Sequence, residues 1–209
     1  MSRHLFIDFD GTLVDSRLRQ YELFVELAGK TSLSFSEYWS AKRAGIKQSD
    51  MLAKYANCTS DQALAFKGKW MEAIEDPQRL QTDVLIAGVP AFLVEAAKHF
   101  QLYLVTGRQH HERLIDQMQQ LCIERYFTGI LNTAQRIPKA HLVQANVELG
   151  DGDVFVGDSG EDILAGKELG IFTVGVTSGA SIVERLEKYA PNLIVGSVAE
   201  LVPRALGLS

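Results

Sequence analysis

The chain has 209 residues, enough for one sizeable domain or for a core with a modest insertion. Its 46% hydrophobic and 22% charged content is that of an ordinary globular protein and excludes a disordered one. A net charge of −5 argues against binding to nucleic acid or to an anionic membrane surface, since only Lys42, Arg43 and Lys47 form even a loose basic cluster.

The opening run HLFID (4–8) is short, apolar and ends in an acid, as suits a strand buried on both faces of a parallel sheet. Broken by aspartates, the N-terminal stretch reads neither as a signal peptide nor as a membrane span, so a cytoplasmic location is expected. Residues 17 to about 80 contain no convincing strand. Their apolar residues recur at spacings of three and four, as with Leu23, Phe24 and Leu27 or with Leu64, Trp70 and Met71, which predicts helices. A crossover in a parallel sheet usually needs only one helix, so this length reads as an all-helical insertion. From residue 85 onward the rhythm returns. Further buried strands are expected at 102–106, 154–157, 171–176 and 192–195, with helices near 89–99, 109–121, 139–149, 160–169 and 179–189. The expected fold is therefore α/β: a Rossmann-like parallel sheet core from 1–15 and 82–209, with a helical insertion over 16–81. Cys58 and Cys122 have no metal-site or disulfide-framework spacing and read as small core residues in a reducing compartment.

Four motifs carry chemistry. In IDFDGTLVDS (7–16), Asp8 and Asp10 stand two apart at a strand end, where side chains i and i+2 point the same way, and Gly11 allows a turn that lets both converge. Two close carboxylates repel unless a cation neutralises them, and magnesium is the hard ion that prefers oxygen ligands and is often shared with phosphate. One acid can then attack while the other shuttles a proton. In LYLVTGR (102–108), Thr106 and Gly107 end a strand with a hydroxyl and free amides suited to a phosphate oxygen. Lys139, just after Pro138, is the only lysine between Lys98 and Lys167 and offers one fixed positive charge. In VFVGDSGEDILAGKELG (154–170), Asp158 ends a strand and Asp162 falls in the first turn of the next helix, facing back toward it. Taken singly, each motif has an ordinary reading as a turn, a helix cap or a solvated lysine. All four fall on one edge of the predicted sheet, where such sheets bind ligands.

In this order the motifs resemble the haloacid dehalogenase superfamily over nearly the whole chain, and within it the phosphoglycolate phosphatase-like members with a helical cap after the first motif. The resemblance implies a phosphoric monoester hydrolase with Asp8 as nucleophile and Asp10 as general acid and then base. It makes Asp8, Asp10 (through its carbonyl) and Asp158 the Mg2+ ligands, with Asp162 behind them. Thr106 and Gly107 would hold the phosphoryl group and Lys139 would neutralise charge. Arg43 and Lys47, in the loop SAKRAGIKQSD (40–50), are candidate contacts to an anionic substrate, a small phosphorylated metabolite. Phosphoglucomutase-like relatives keep both aspartates, so a mutase is the alternative. A receiver-type phospho-acceptor switch fits less well, because no strand between Asp10 and Thr106 ends in an acceptor aspartate. The substrate and the oligomeric state are not legible.

Overall fold

A computed structural model describes residues 3–29, 31–56 and 58–206. The chain divides into two compact units, one formed by residues up to Asp15 together with Val84 onward, the other by Ser16–Asp83.

The first unit is built on a six-stranded parallel sheet. Its strands are β1 (His4–Ile7), β4 (Gln101–Thr106), β5 (Phe127–Asn132), β6 (Val154–Gly157), β7 (Phe172–Val176) and β8 (Leu193–Val195), in the spatial order β5-β4-β1-β6-β7-β8. A separate two-stranded antiparallel ribbon pairs β2 (Val14–Asp15) with β3 (Val84–Leu85). The helices of this unit are α6 (Val89–Ala96), α7 (His111–Gln120), α8 (Lys139–Asn146), α9 (Gly160–Glu168) and the short α10 (Val183–Leu186).

The central strands are apolar because both of their faces are covered. Leu5, Ile7, Leu102, Leu104, Val154 and Val156 join one fully buried cluster with Val89, Leu93 and Leu114, and Phe6, Val105 and Phe155 face a second cluster with Ala140, Val143 and Ala165. The chain moves outward from β1 in both directions, to β4 and β5 on one side and to β6, β7 and β8 on the other. Such a reversal opens a crevice at the carboxyl ends of the strands. Ile7 pairs with Leu104 and with Val156, so the residues following β1, β4 and β6 meet at that crevice.

The second unit holds α1 (Arg17–Ala28), α2 (Phe35–Arg43), α3 (Gln48–Ala56), α4 (Ser60–Ala73) and α5 (Pro77–Leu80). It has its own core of Phe24, Leu33, Tyr38, Trp39, Met51, Leu52 and Phe66. Capping boxes at Ser34 with Glu37 and at Thr59 with Gln62 fix the starts of α2 and α4. The unit runs to Asp83 rather than to residue 81, because the Asp83 carboxylate is buried against Arg19 of α1. Arg19 Nε donates to Asp83 Oδ1 at 3.0 Å and its Nη1 donates to the Ile74 carbonyl at 2.7 Å. Arg19→Met removes the cation and leaves the acid buried, so it is expected to destabilise the protein by about 3–5 kcal/mol in urea unfolding. A loss below about 1 kcal/mol would show that the pair does not close this unit.

Four sequence expectations are corrected. The edge strand β5 was not foreseen. The run expected as a helix over 179–189 is a loop followed only by α10 and a 3-10 turn at Glu187–Tyr189. Cys122 is exposed rather than a core residue, whereas Cys58 is half-buried and packs against the core of the helical unit. On α4 the buried residue is Phe66, whereas Leu64 is 73% exposed, because the helix turns a different face inward from the one expected.

Candidate active site

Asp8 directly follows β1, and its N–H donates to the Val156 carbonyl at 2.9 Å, which holds it between β1 and β6. Lys139 opens α8, and its Nζ donates to Asp8 Oδ1 and to Asp162 Oδ1, each at 2.6 Å. All three side chains are buried, as is Asp158 beyond β6. Carboxylate oxygens of Asp8, Asp158 and Asp162 lie within 4.8 Å of one another.

Two glycines make this crowding possible. A Cβ on Gly157 would stand 2.2 Å from Asp162 Cγ, so only glycine lets the α9 acid lie against the strand end. Gly11 has φ +85°, and a Cβ there would stand 2.5 Å from Asp158 Oδ2. Asp162 spends both oxygens on its neighbours: Oδ1 accepts from Lys139, while Oδ2 accepts from the Ser159 N–H at 3.1 Å and from its hydroxyl at 2.6 Å. Asp158 Oδ2 accepts from the Ala180 N–H in the loop after β7, and Ser178 Oγ of that loop donates to the Gly11 carbonyl at 2.7 Å. The loop after β7, which runs from Ser178 into the segment expected to be helical, therefore fastens the first and fourth motifs together.

Three carboxylates face one ammonium here. Burial pushes the Asp8 carboxyl well above the usual carboxylate range; Lys139 pulls it back, and Asp162 and Asp158 add to the rise. Asp158 is pushed up to about 7, first by burial and then by Asp162. Burial would lower the Lys139 ammonium, but Asp162 and Asp8 outweigh it and hold the proton more firmly than in a free lysine. The site carries more negative charge than its own lysine balances, and all its donors are hard oxygens. Those properties fit a divalent cation such as Mg2+, with Asp8 and Asp158 placed to share it and Asp162 already committed to Lys139 and Ser159.

A pH dependence follows. Asp8 and Asp158 have folded-state pKa values above their unfolded ones, so between about pH 4 and pH 7 the folded protein binds more protons than the unfolded chain. Raising the pH through that window in EDTA therefore removes stability. Melting in EDTA is expected to fall from pH 5 to pH 8, and added Mg2+ is expected to raise the melting temperature more at pH 8 than at pH 5. A magnesium effect larger at pH 5 would contradict this electrostatic picture.

The other expected residues separate into groups. Thr106, buried, ends β4, and Gly107 lines a cavity of about 560 Å³ with Thr133, Gln135, Arg136, Ile137, Pro138 and Glu161. Arg43 ends α2 and Lys47 precedes α3, in the helical unit rather than in the unit that carries the acids. Asp10 departs from expectation. Its carboxylate does not join the Asp8 cluster but is held by Arg108, with Nε on Oδ2 at 2.5 Å and Nη2 on Oδ1 at 2.9 Å. Convergence of the two acids was expected from their i, i+2 spacing; a buried guanidinium turns one of them aside.

Residues 5–176 match the model of the haloacid dehalogenase-like hydrolase family. The chain belongs to this family. It is an enzyme of phosphatase type, and its nearly full-length similarity to "Phosphoglycolate phosphatase 1" of Pseudomonas aeruginosa is 25% identity over 223 aligned positions, covering 98% of this chain and 80% of that protein. A "Phosphoglycolate phosphatase" of Agrobacterium fabrum is 33% identical over 93 residues, a match that spans 41% of this chain and 40% of that protein. A solved haloacid dehalogenase-like family hydrolase from Streptococcus pneumoniae superposes with a TM-score of 0.70 at 22% identity, covering 95% of this chain and 96% of that one, a likeness of fold. Among the described residues, no helix is long and apolar enough to cross a membrane.

Proposed function

We propose that this hydrolase is a magnesium-dependent phosphatase that cleaves a small phosphate monoester through a phosphoryl group carried on Asp8. The observation that carries the reading is the placement of Asp8 at the central crevice, 2.6 Å from a buried, protonated Lys139 and beside Asp158. A carboxylate so held cannot swing away, and the ammonium beside it can follow the charge that shifts onto the phosphoryl oxygens.

In the first half-reaction Asp8 attacks phosphorus, a bond from its carboxylate oxygen forms as the ester P–O bond breaks, and the leaving oxygen takes a proton from Asp10. In the second, water attacks phosphorus and gives its proton to Asp10, which frees inorganic phosphate and restores the Asp8 carboxylate. The side chains of Asp8 and Asp158 and the carbonyl of Asp10 are the proposed ligands, and Mg2+ when bound would supply positive charge to the acids and to the phosphoryl oxygens. Thr106 and Gly107 are proposed to grip the phosphoryl group at the end of β4. Asp162 keeps Lys139 pointed at Asp8. The helical unit is proposed to act as the cap that selects the substrate, with Arg43 and Lys47 as contacts for an anion. The relatives named for phosphoglycolate support a small phosphorylated metabolite as the substrate class.

Turnover of p-nitrophenyl phosphate tests this reading. Steady release of phosphate with Mg2+, lost in EDTA and restored by excess Mg2+, is expected. A single stoichiometric phosphorylation with slow release would instead identify a switch. Interconversion of glucose phosphate isomers without free phosphate would identify a mutase.

A further inference from the structure

Arg108 follows Thr106 and Gly107, yet neither the grip on phosphate nor the charge balance around Asp8 uses it. It is almost wholly buried, with its side chain 5% exposed, while that of its partner Asp10 is 27% exposed. Its fork holds both Asp10 oxygens. From behind, Nη2 donates to Gln117 Oε1 of α7 at 3.2 Å, and the guanidinium carbon stands 5.4 Å from the ring centroid of buried Phe9. The arginine is thus fixed from three sides and Asp10 is the member that meets solvent. Asp10 also stands in the field of Asp158, a like charge. Left alone, an aspartate on a turn would rotate away from that charge into water. A planar fork fixes a carboxylate in both position and plane, which a lysine's single ammonium cannot do.

We infer that Arg108, braced by Gln117, is the positioning residue for Asp10: its fork holds the resting carboxylate in place, and when one oxygen takes a proton from solvent the remaining Arg108 contact keeps the group fixed while it passes that proton to the leaving oxygen. The inference rests on the proposed hydrolysis and adds a residue to it. Arg108 acts through Asp10, so its effect must follow the need for that proton. An alkoxide leaves poorly without protonation, whereas p-nitrophenolate leaves readily without it.

The test compares kcat for ethyl phosphate and for p-nitrophenyl phosphate, with Mg2+, in the wild type, Arg108→Gln, Arg108→Lys, Asp10→Asn and the Asp10→Asn/Arg108→Gln double variant. The ethyl-to-aryl ratio is expected to fall by about 10²-fold in Arg108→Gln and by less in Arg108→Lys. The double variant is expected to be no worse than Asp10→Asn alone, since residues that act as a unit do not add. Gln117→Met, which loosens the brace and keeps the charge, should lower the same ratio more mildly and decides the matter should Arg108→Gln fail to fold. Equal losses on both esters, a rise in KM shared by both, an additive double variant or a higher ethyl phosphate rate would each overturn the role of Arg108. Wild-type protein that turns over neither ester would overturn the hydrolase reading itself.

Discussion

Asp8→Asn is expected to lower kcat on the order of 10⁵-fold while leaving the protein folded and, without metal, more stable. The loss follows from chemistry, because an amide offers no anionic oxygen to phosphorus. The gain in stability follows from electrostatics. Asp8 is a buried acid whose carboxyl is pushed well above the usual range by burial and by Asp162 and Asp158, so its ionised form is one the fold resists at neutral pH. Removing that charge relieves the strain and leaves a polar group for Lys139 to meet. A rise of roughly 2–4 °C in melting temperature is expected at pH 8 in EDTA. Activity and stability moving in opposite directions is the mark of a residue retained for chemistry at a cost to the fold. A loss of stability in EDTA would contradict this electrostatic reading of Asp8, and a kcat within tenfold of the wild type would remove Asp8 from the chemistry.

Lys139→Met carries the second large effect, and here both quantities fall. The ammonium sits between Asp8 and Asp162 at 2.6 Å from each, and its loss leaves three buried carboxylates with no cation from the chain. Taking away one preorganised donor at a site where charge develops typically costs 10²–10³ in kcat, and about 10³ is expected because this donor carries a full charge. Breaking a buried ion pair from one side costs about 3–5 kcal/mol. That penalty should be largest at pH 8 and smaller at pH 5, where Asp158, pushed up to about 7, takes up a proton. Mg2+ is expected to restore part of the stability and little of the rate, because a cation shared by Asp8 and Asp158 does not replace the contact to Asp162. A variant within tenfold of the wild type would remove Lys139 from the chemistry.

Much of the core was legible because burial on both faces writes itself into a strand. Leu5, Phe6 and Ile7 or Val154, Phe155 and Val156 are fully buried, and such runs read as strands without help from periodicity. The edge strand β5 escaped for the converse reason. It pairs on one side only, its residues are half-buried or exposed, and Thr128 and Gly129 interrupt the apolar run. The loop after β7 escaped because its task falls to backbone. An Ala180 N–H holds Asp158, and any residue but proline has an N–H, so no side-chain pattern announces it.

The same distinction runs through the site. Asp8, Lys139, Asp158 and Asp162 stand out as charges at strand and helix ends, and the structure brings all four into one cluster. The direction of the Asp10 side chain could not be read from its spacing, because the i, i+2 rule holds within a strand and Asp10 lies past the end of β1. What decides it is Arg108, whose only signal in the sequence is an arginine after Thr106 and Gly107. Gln117, nine positions further along, gives no signal at all until α7 turns it inward.

The most direct measurement is to mix the enzyme with substrate and Mg2+, quench it within one turnover, reduce any acyl phosphate with borohydride and locate the modified residue by mass spectrometry. Conversion of Asp8 to homoserine, absent when Asp8→Asn is treated in the same way, is the expected result. Full turnover with Asp8 unmodified, or modification at another carboxylate, would contradict it.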